Sequence, residues 1–146
     1  MTVIAYRNGV MAADTSAWEN KTVHRWSRKI LRAVDGTLYG TYGTCSEGQR
    51  YLRWVDGGCV GDEPMPRDMG DDAGSFGVMI ARSDMPLQLL ILPYGREDFD
   101  APYYAVGGGA DVAWGALFAG ADAETAVRAA IEHSDAARGD VQVIRF

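Results

Sequence analysis

The sequence predicts an α+β fold built on antiparallel sheets. Two turn signals, Asn8-Gly9 and Asp35-Gly36, each join a pair of short apolar segments, the pattern of tight β-hairpins. Three stretches carry helix start and stop signals, near residues 46–56, 110–119 and 122–131. Runs of hairpin strands separated by blocks of helix are the mark of α+β architecture.

The first hairpin covers residues 2–7 and 10–14, Thr2-Val3-Ile4-Ala5-Tyr6-Arg7 and Val10-Met11-Ala12-Ala13-Asp14. Neither segment alternates between apolar and polar residues, so both faces are expected to be buried. Residues 15–27 are polar and Trp-bearing and read as a loop. Lys29-Ile30-Leu31-Arg32-Ala33-Val34 and Thr37-Leu38-Tyr39-Gly40-Thr41-Tyr42 flank Asp35-Gly36 as the second hairpin. Ser46 is the expected N-cap of a helix that carries Leu52, Trp54 and Val55 and stops at Gly57-Gly58. From Gly61 to Asp72 the chain is rich in Gly, Pro and Asp and reads as a solvated acidic loop. Phe76–Ala81 and Leu87–Leu92 form a third strand pair, and Tyr103–Val106 is a short strand feeding Gly107-Gly108-Gly109. A helix over 110–119 ends at Gly120, Asp122 caps the next helix, and Val141–Phe146 closes the chain as a strand. There is no repeat and no linker.

Length and composition bound the function. At 146 residues, 47% of them hydrophobic, the chain has the size and composition of one globular domain, 1–146. A net charge of −6 argues against a nucleic-acid partner, because affinity for phosphate backbones comes from clustered Lys and Arg. No apolar run approaches the roughly 20 residues that span a bilayer, which argues against a membrane partner. The first residues lack the basic and apolar regions of a signal peptide, so the cytoplasm is the expected location. Two cysteines, Cys45 and Cys59, and two histidines, His24 and His133, show no metal-ligand spacing, and no cofactor is expected. Val106-Gly107-Gly108-Gly109 before a helix is a poor dinucleotide fingerprint. The third small position falls at Val112, and Asp111 puts negative charge where phosphate would sit.

The chemistry is concentrated at the start. If Met1 is removed, Thr2 holds a hydroxyl nucleophile and a free α-amine on one residue, a minimal hydrolase site. A Thr hydroxyl needs an adjacent base, and an α-amine with a reference pKa of about 7.7–8.0 is a better base at neutral pH than a Lys at about 10.4. Read singly, the neighbouring residues have plainer roles: Thr2 begins a strand, Asp14 ends one, Lys29 is a surface base, and Gly40 and Gly43 are thin spots in a strand.

The order of the parts adds to this. An N-terminal Thr strand, a tight turn to Ala12-Ala13-Asp14, Lys29 opening the next strand pair, and Gly40-Thr41-Tyr42-Gly43 entering a helix resemble the proteasome β-subunit branch of the N-terminal-nucleophile hydrolases. The resemblance is greatest to small bacterial and phage-borne members. Tyr103-Tyr104-Ala105-Val106-Gly107-Gly108-Gly109-Ala110-Asp111, the helix from Asp122 through Ile131 and the closing Val141-Gln142-Val143 agree in order. The resemblance implies a four-layer αββα sandwich of two antiparallel sheets, here with a shortened helical layer. It also implies a homo-oligomeric ring enclosing the active sites and a peptide or unfolded-protein substrate; no residue names an ATPase partner. On this template Thr2 is the nucleophile, Asp14 and Lys29 are its charge partners, the Gly43 N–H is the oxyanion donor, and Asp135 matches the family's Asp after the last helix. Lys29⁺ would keep the amine in its basic form, and the Gly43 donor would stabilise a tetrahedral oxyanion.

The sequence departs from that pattern in four places. Val3 stands where relatives carry a second Thr. Gly108 stands where they have a Ser that orients the amine. Arg138 falls near a further Ser position, and the helix after Gly43 is followed by the acidic loop instead of a second long helix. These departures favour a second expectation, a structural or assembly protein that keeps the fold without the activity.

Overall fold

The computed structural model describes residues 2–19, 22–65, 76–91 and 95–146. Four strands form one antiparallel sheet: β1 (Ile4–Arg7), β2 (Val10–Asp14), β10 (Tyr103–Val106) and β11 (Val141–Arg145), in the order β10-β1-β2-β11. Five form a second: β5 (Ile30–Arg32), β6 (Leu38–Gly43), β7 (Phe76–Ala81), β8 (Leu87–Ile91) and β9 (Gly95–Phe99), in chain order and all antiparallel. A separate two-stranded ribbon pairs β3 (Ala17–Glu19) with β4 (Thr22–His24). The helices are α1 (Cys45–Asp56), α2 (Ala110–Phe118) and α3 (Ala123–His133). None of them is long and apolar enough to cross a membrane.

The two sheets read as continuous apolar runs because each is covered on both faces. Along β7 all six residues are buried, yet successive side chains serve different cores. Met79 and Ala81 join Ile4, Met11 and Ala13 of the first sheet in one cluster, with Leu38, Leu87 and Leu89. Val78 and Ile80 point the other way and pack with Tyr51, Leu52 and Val55 of α1. The opposite face of the first sheet, Val3, Ala5, Ala12 and Ala105, packs on α2 and α3 through Ala113, Leu117, Ala126, Val127 and Ala130. These are mostly small residues, and small side chains let helices sit close to strands.

Local signals explain most element ends. At Asp35-Gly36 the Thr37 N–H donates to Asp35 Oδ1 at 2.9 Å and Gly36 takes a φ of +88°. These hydrogen bonds from Thr37 also hold the Asp35 carboxyl below its ordinary pKa. Asp122 caps α3 as expected, accepting the Thr125 N–H at 2.7 Å.

Two expectations are corrected, and one strand, β9, was not anticipated. Residues 15–27 hold the β3–β4 ribbon. Because Thr22 and His24 face solvent, its polar alternation mimics a loop. Thr44 holds the N-cap position of helix α1, without a side-chain cap, and Ser46 is the second residue of the helix. Strand β9 carries Arg96, Glu97 and Asp98, charges that an edge strand tolerates and a central one would not. Leu92 and residues 66–74 of the acidic stretch lie outside the described residues; residues 61–65 form neither helix nor strand.

The inter-sheet cluster sets the spacing of everything above it. Met79→Ala, at a fully buried position there, is expected to cost about 2–5 kcal/mol. Urea denaturation would read this as a lower midpoint at unchanged slope.

Candidate active site

Four strand ends meet at one end of the two sheets. Strand β1 begins just after Thr2 and β2 ends on Asp14, and antiparallel pairing brings those ends together, with the Asp14 N–H donating to the Val3 carbonyl at 3.3 Å. In the second sheet β5 begins just after Lys29 and β6 ends on Gly43, with the Thr41 N–H donating to the Lys29 carbonyl at 2.8 Å. One ion pair bridges the two ends: Lys29 Nζ lies 2.7 Å from Asp14 Oδ1, and both side chains are almost wholly buried.

Asp14 is fully enclosed, at 0% exposure, and its oxygens are lined with donors. Oδ1 accepts from Lys29 Nζ and from the Val3 N–H at 2.9 Å. Oδ2 accepts from the Ser16 hydroxyl at 2.6 Å and from the backbone N–H groups of Ser16 and Arg138, each at 3.2 Å. Burial of a carboxylate is tolerable only with such saturation. Burial likewise pushes the Lys29 ammonium below its ordinary pKa, and the charge and hydrogen bond of Asp14 offset part of that fall.

Thr2, Lys29 and Gly43 line one cleft of about 280 Å³, together with Ser16, Trp18 and Cys45. Trp18 is partly exposed, and its ring is covered by the Arg138 guanidinium at 5.5 Å. Gly43 has a φ of +93°, a left-handed conformation that lets β6 turn directly into α1 at Thr44. The first turn of α1 opens onto the cleft through Thr44, Cys45 and Gly48, adding the positive end of a helix to the Lys29 ammonium.

The glycine turn grips the first residue from the other side. Gly109 donates its N–H to the Thr2 carbonyl at 3.1 Å. A Cβ on Gly107, at φ +96°, would collide with that same carbonyl, so only glycine permits the approach. A Cβ on Gly108 would stand 2.9 Å from the Ala136 methyl, so the site has no room for the hydroxyl seen at this position in the resembled family.

The structure thus brings Thr2, Asp14, Lys29 and Gly43 together and leaves Asp135 apart. Asp135 is exposed on the turn after α3 and is not among the residues lining the cleft. That turn is closed by the Ala136 N–H donating to Ser134 Oγ at 3.1 Å, and Ala136 and Ala137 take the buried positions, which leaves Asp135 facing out. The segment reaches the site instead through the Arg138 N–H. Sequence reasoning did not pick out this contact or Ser16. A backbone donor leaves no trace in residue type; Ser16, two residues after an Asp, fits the local side-chain-to-backbone turn pattern. Among the described residues no three His, Cys, Asp or Glu side chains converge to hold a metal.

No protein-family model matches the sequence, and no curated protein matches it. Solved structures do. Thiobacillus denitrificans BPH superposes with a TM-score of 0.70 at 22% identity, covering 99% of this chain and 96% of that one. The same protein in complex with epoxomicin gives 0.70 at 21%, covering 99% and 97%. Eukaryotic HslV from Trypanosoma brucei gives 0.67 at 16%, with both chains covered completely at 100%. The fold is proteasome-like.

Asp14→Asn would leave the Lys29 ammonium buried without its counter-charge, a loss expected to destabilise by about 3–5 kcal/mol near neutral pH. The folded-state pKa of Lys29 already lies below its unfolded value of 10.5, and removal of Asp14 lowers it further. Stability therefore rises as pH climbs through the folded value towards the unfolded one, over a wider window in the variant than in the parent. Urea midpoints at about pH 7 and about pH 9.5 should show the gap between variant and parent narrowing at the higher pH. A gap that stays constant or widens would count against a buried Lys29 charge.

Proposed function

We propose that this chain is a threonine-type amide hydrolase that acts on peptide bonds after Met1 is removed. The supporting observation is the double use of Asp14 Oδ1, which takes both the Val3 N–H and Lys29 Nζ. One atom thereby fixes the residue next to the nucleophile against the cation meant to assist it. Thr2, Lys29 and Gly43 then face a common cleft.

The α-amine of Thr2 accepts the hydroxyl proton as Oγ attacks the substrate carbonyl, and the Gly43 N–H receives the developing oxyanion. The amine returns the proton to the leaving amine as the C–N bond breaks, which leaves an ester on Thr2. Water, deprotonated by the same amine, hydrolyses that ester and regenerates the hydroxyl. Lys29⁺ favours the neutral amine and stabilises negative charge on Oγ; Asp14 holds Lys29 in place.

The same reading takes residues 1–146 as one domain layered α2 and α3, first sheet, second sheet, α1, the αββα sandwich with short helices of 9, 11 and 12 residues. It makes the protein a cytoplasmic homo-oligomer taking peptides or unfolded chains. Asp135 enters it only as a surface residue of the turn that delivers the Arg138 N–H.

A second reading is favoured by Gly108, whose contact with Ala136 excludes an amine-orienting hydroxyl. In that reading the chain keeps the fold as an inactive structural or assembly protein.

Intact mass decides first between them: the hydrolase requires loss of Met1. A peptide epoxyketone, which reacts with a hydroxyl and amine on one residue, should then add one equivalent to the Thr2 peptide. Thr2→Ala should lose the adduct and at least about 10³-fold of hydrolysis. A Met1-retaining chain, or a Thr2→Ala variant with parental turnover, supports the inactive protein.

A further inference from the structure

Gln142 lies in β11, opposite Ala13 and one position from the Asp14 pairing with Val141. It is a polar residue in an otherwise apolar stretch, Val141-Gln142-Val143-Ile144, and its side chain is fully engaged. The Nε2 group donates to the Asp14 carbonyl at 3.0 Å and to the Ser27 carbonyl at 2.9 Å. The Oε1 atom accepts the Lys29 N–H at 3.3 Å. One carboxamide therefore holds the backbone of Asp14 in the first sheet and the backbone on either side of Arg28, entering the second.

Those backbone groups belong to the two partners of the ion pair. One backbone hydrogen bond, from the Ser27 N–H to the Thr15 carbonyl at 2.8 Å, already joins the two segments just outside the pair. Gln142 adds the tie at Asp14 and Lys29 themselves, and the 2.7 Å bridge between their side chains depends on where those two main chains stand. Gln142 is only half-buried and is not among the residues lining the cleft; it reaches two that are, Ser27 and Lys29, through their backbone.

We propose that Gln142 is a positioning residue of the hydrolytic site, fixing the distance between Lys29 and the Thr2 amine by clamping the Asp14 and Lys29 backbones together. This rests on the hydrolase reading. Its mechanism is indirect: with the clamp gone, Lys29⁺ drifts from its seat, the amine loses a neighbouring positive charge, and its pKa rises. The other titratable groups on the cleft are Cys45 at the start of α1, Arg28, and Tyr42 of β6, whose hydroxyl burial pushes up. None of these makes a described contact with Gln142.

The test measures the Thr2 amine directly as well as through turnover. Gln142→Met keeps the length of the side chain and removes its hydrogen bonds; Gln142→Leu removes them with a branched side chain, and neither adds a charge that would itself move the amine pKa. Val143→Ala, a change in the adjacent core-facing residue of β11, serves as the control for simple destabilisation. Acetylation of the Thr2 α-amine by acetic anhydride, followed against pH by peptide mass, reports the amine pKa without requiring catalysis.

Both Gln142 variants should shift that profile, and the acid limb of kcat/KM, upward by at least about half a pH unit. The value of kcat should fall about tenfold with KM nearly unchanged. Val143→Ala should leave both limbs in place. Variants with parental profiles, a shift shared by Val143→Ala, or loss of folding in both Gln142 variants would overturn the proposal. A parent chain that retains Met1, or whose amine is acetylated normally while no peptide is cleaved, overturns the hydrolase reading itself and is distinguished by that result.

Discussion

The carboxylate of Asp14 is the constraint on which the rest of this structure depends. It ends β2, stands behind the cleft, and is reached from four parts of the chain: the first strand through Val3, the second hairpin through Lys29, the following turn through Ser16, and the segment after α3 through Arg138. Segments far apart in sequence are thus referred to a single buried anion. Such a group is costly to desolvate, so any displacement that strips a donor is penalised steeply. The steepness is what gives positional accuracy. A cluster of apolar contacts would tolerate a slide of several tenths of an ångström; a saturated carboxylate does not.

Backbone proximity does the complementary work at Thr2. The residue is held by its carbonyl, through the Gly109 N–H, and through its neighbour, by Asp14 Oδ1. Neither anchor uses the side chain or the α-amine. Thr2 lines the cleft while its main chain is fixed from behind, and Gly107 permits this by removing the one Cβ that would strike the Thr2 carbonyl. The same economy appears at Gly43, where a left-handed backbone directs strand into helix and presents the first turn of α1 to the cleft.

These features were unequally legible in the sequence. The hairpins at Asn8-Gly9 and Asp35-Gly36 and the Asp122 cap follow from turn and cap chemistry that acts within four residues, and the structure places them where that chemistry predicts. The β3–β4 ribbon and β9 were illegible because their identity lies in pairing: a three-residue strand exposed at Thr22 and His24, or an Arg-Glu-Asp edge, has no intrinsic strand signal. The approach of Thr2, Asp14, Lys29 and Gly43 was legible only through their order along the chain, since nothing local says that four strand ends will coincide. Asp135 shows the limit of such an argument. Its sequence neighbourhood matches, but the buried methyl groups of Ala136 and Ala137 orient the turn so that the Arg138 N–H, a group without a residue signature, reaches the carboxylate.

The buried pair itself argues for chemistry over stability. Replacing an enclosed ion pair by apolar side chains of similar volume is commonly neutral or stabilising, and the next residues along the two strands, Ala13 and Ile30, already belong to the apolar cluster between the sheets. For stability alone a lysine is a costly choice there, since burial lowers its pKa and thus works against the charge. Lys29 lines the same cleft as Thr2, so under the proposed hydrolase its charge has a use beyond the tie to Asp14. Gly108 weighs against this, because the tight contact with Ala136 denies the amine a hydroxyl partner. Yet a lost orienting contact lowers the efficiency of a base without removing it, whereas the proposed hydrolase uses both the tie that Lys29 makes to Asp14 and its charge, and an inert scaffold uses the tie alone. On that asymmetry the hydrolytic reading is the stronger one.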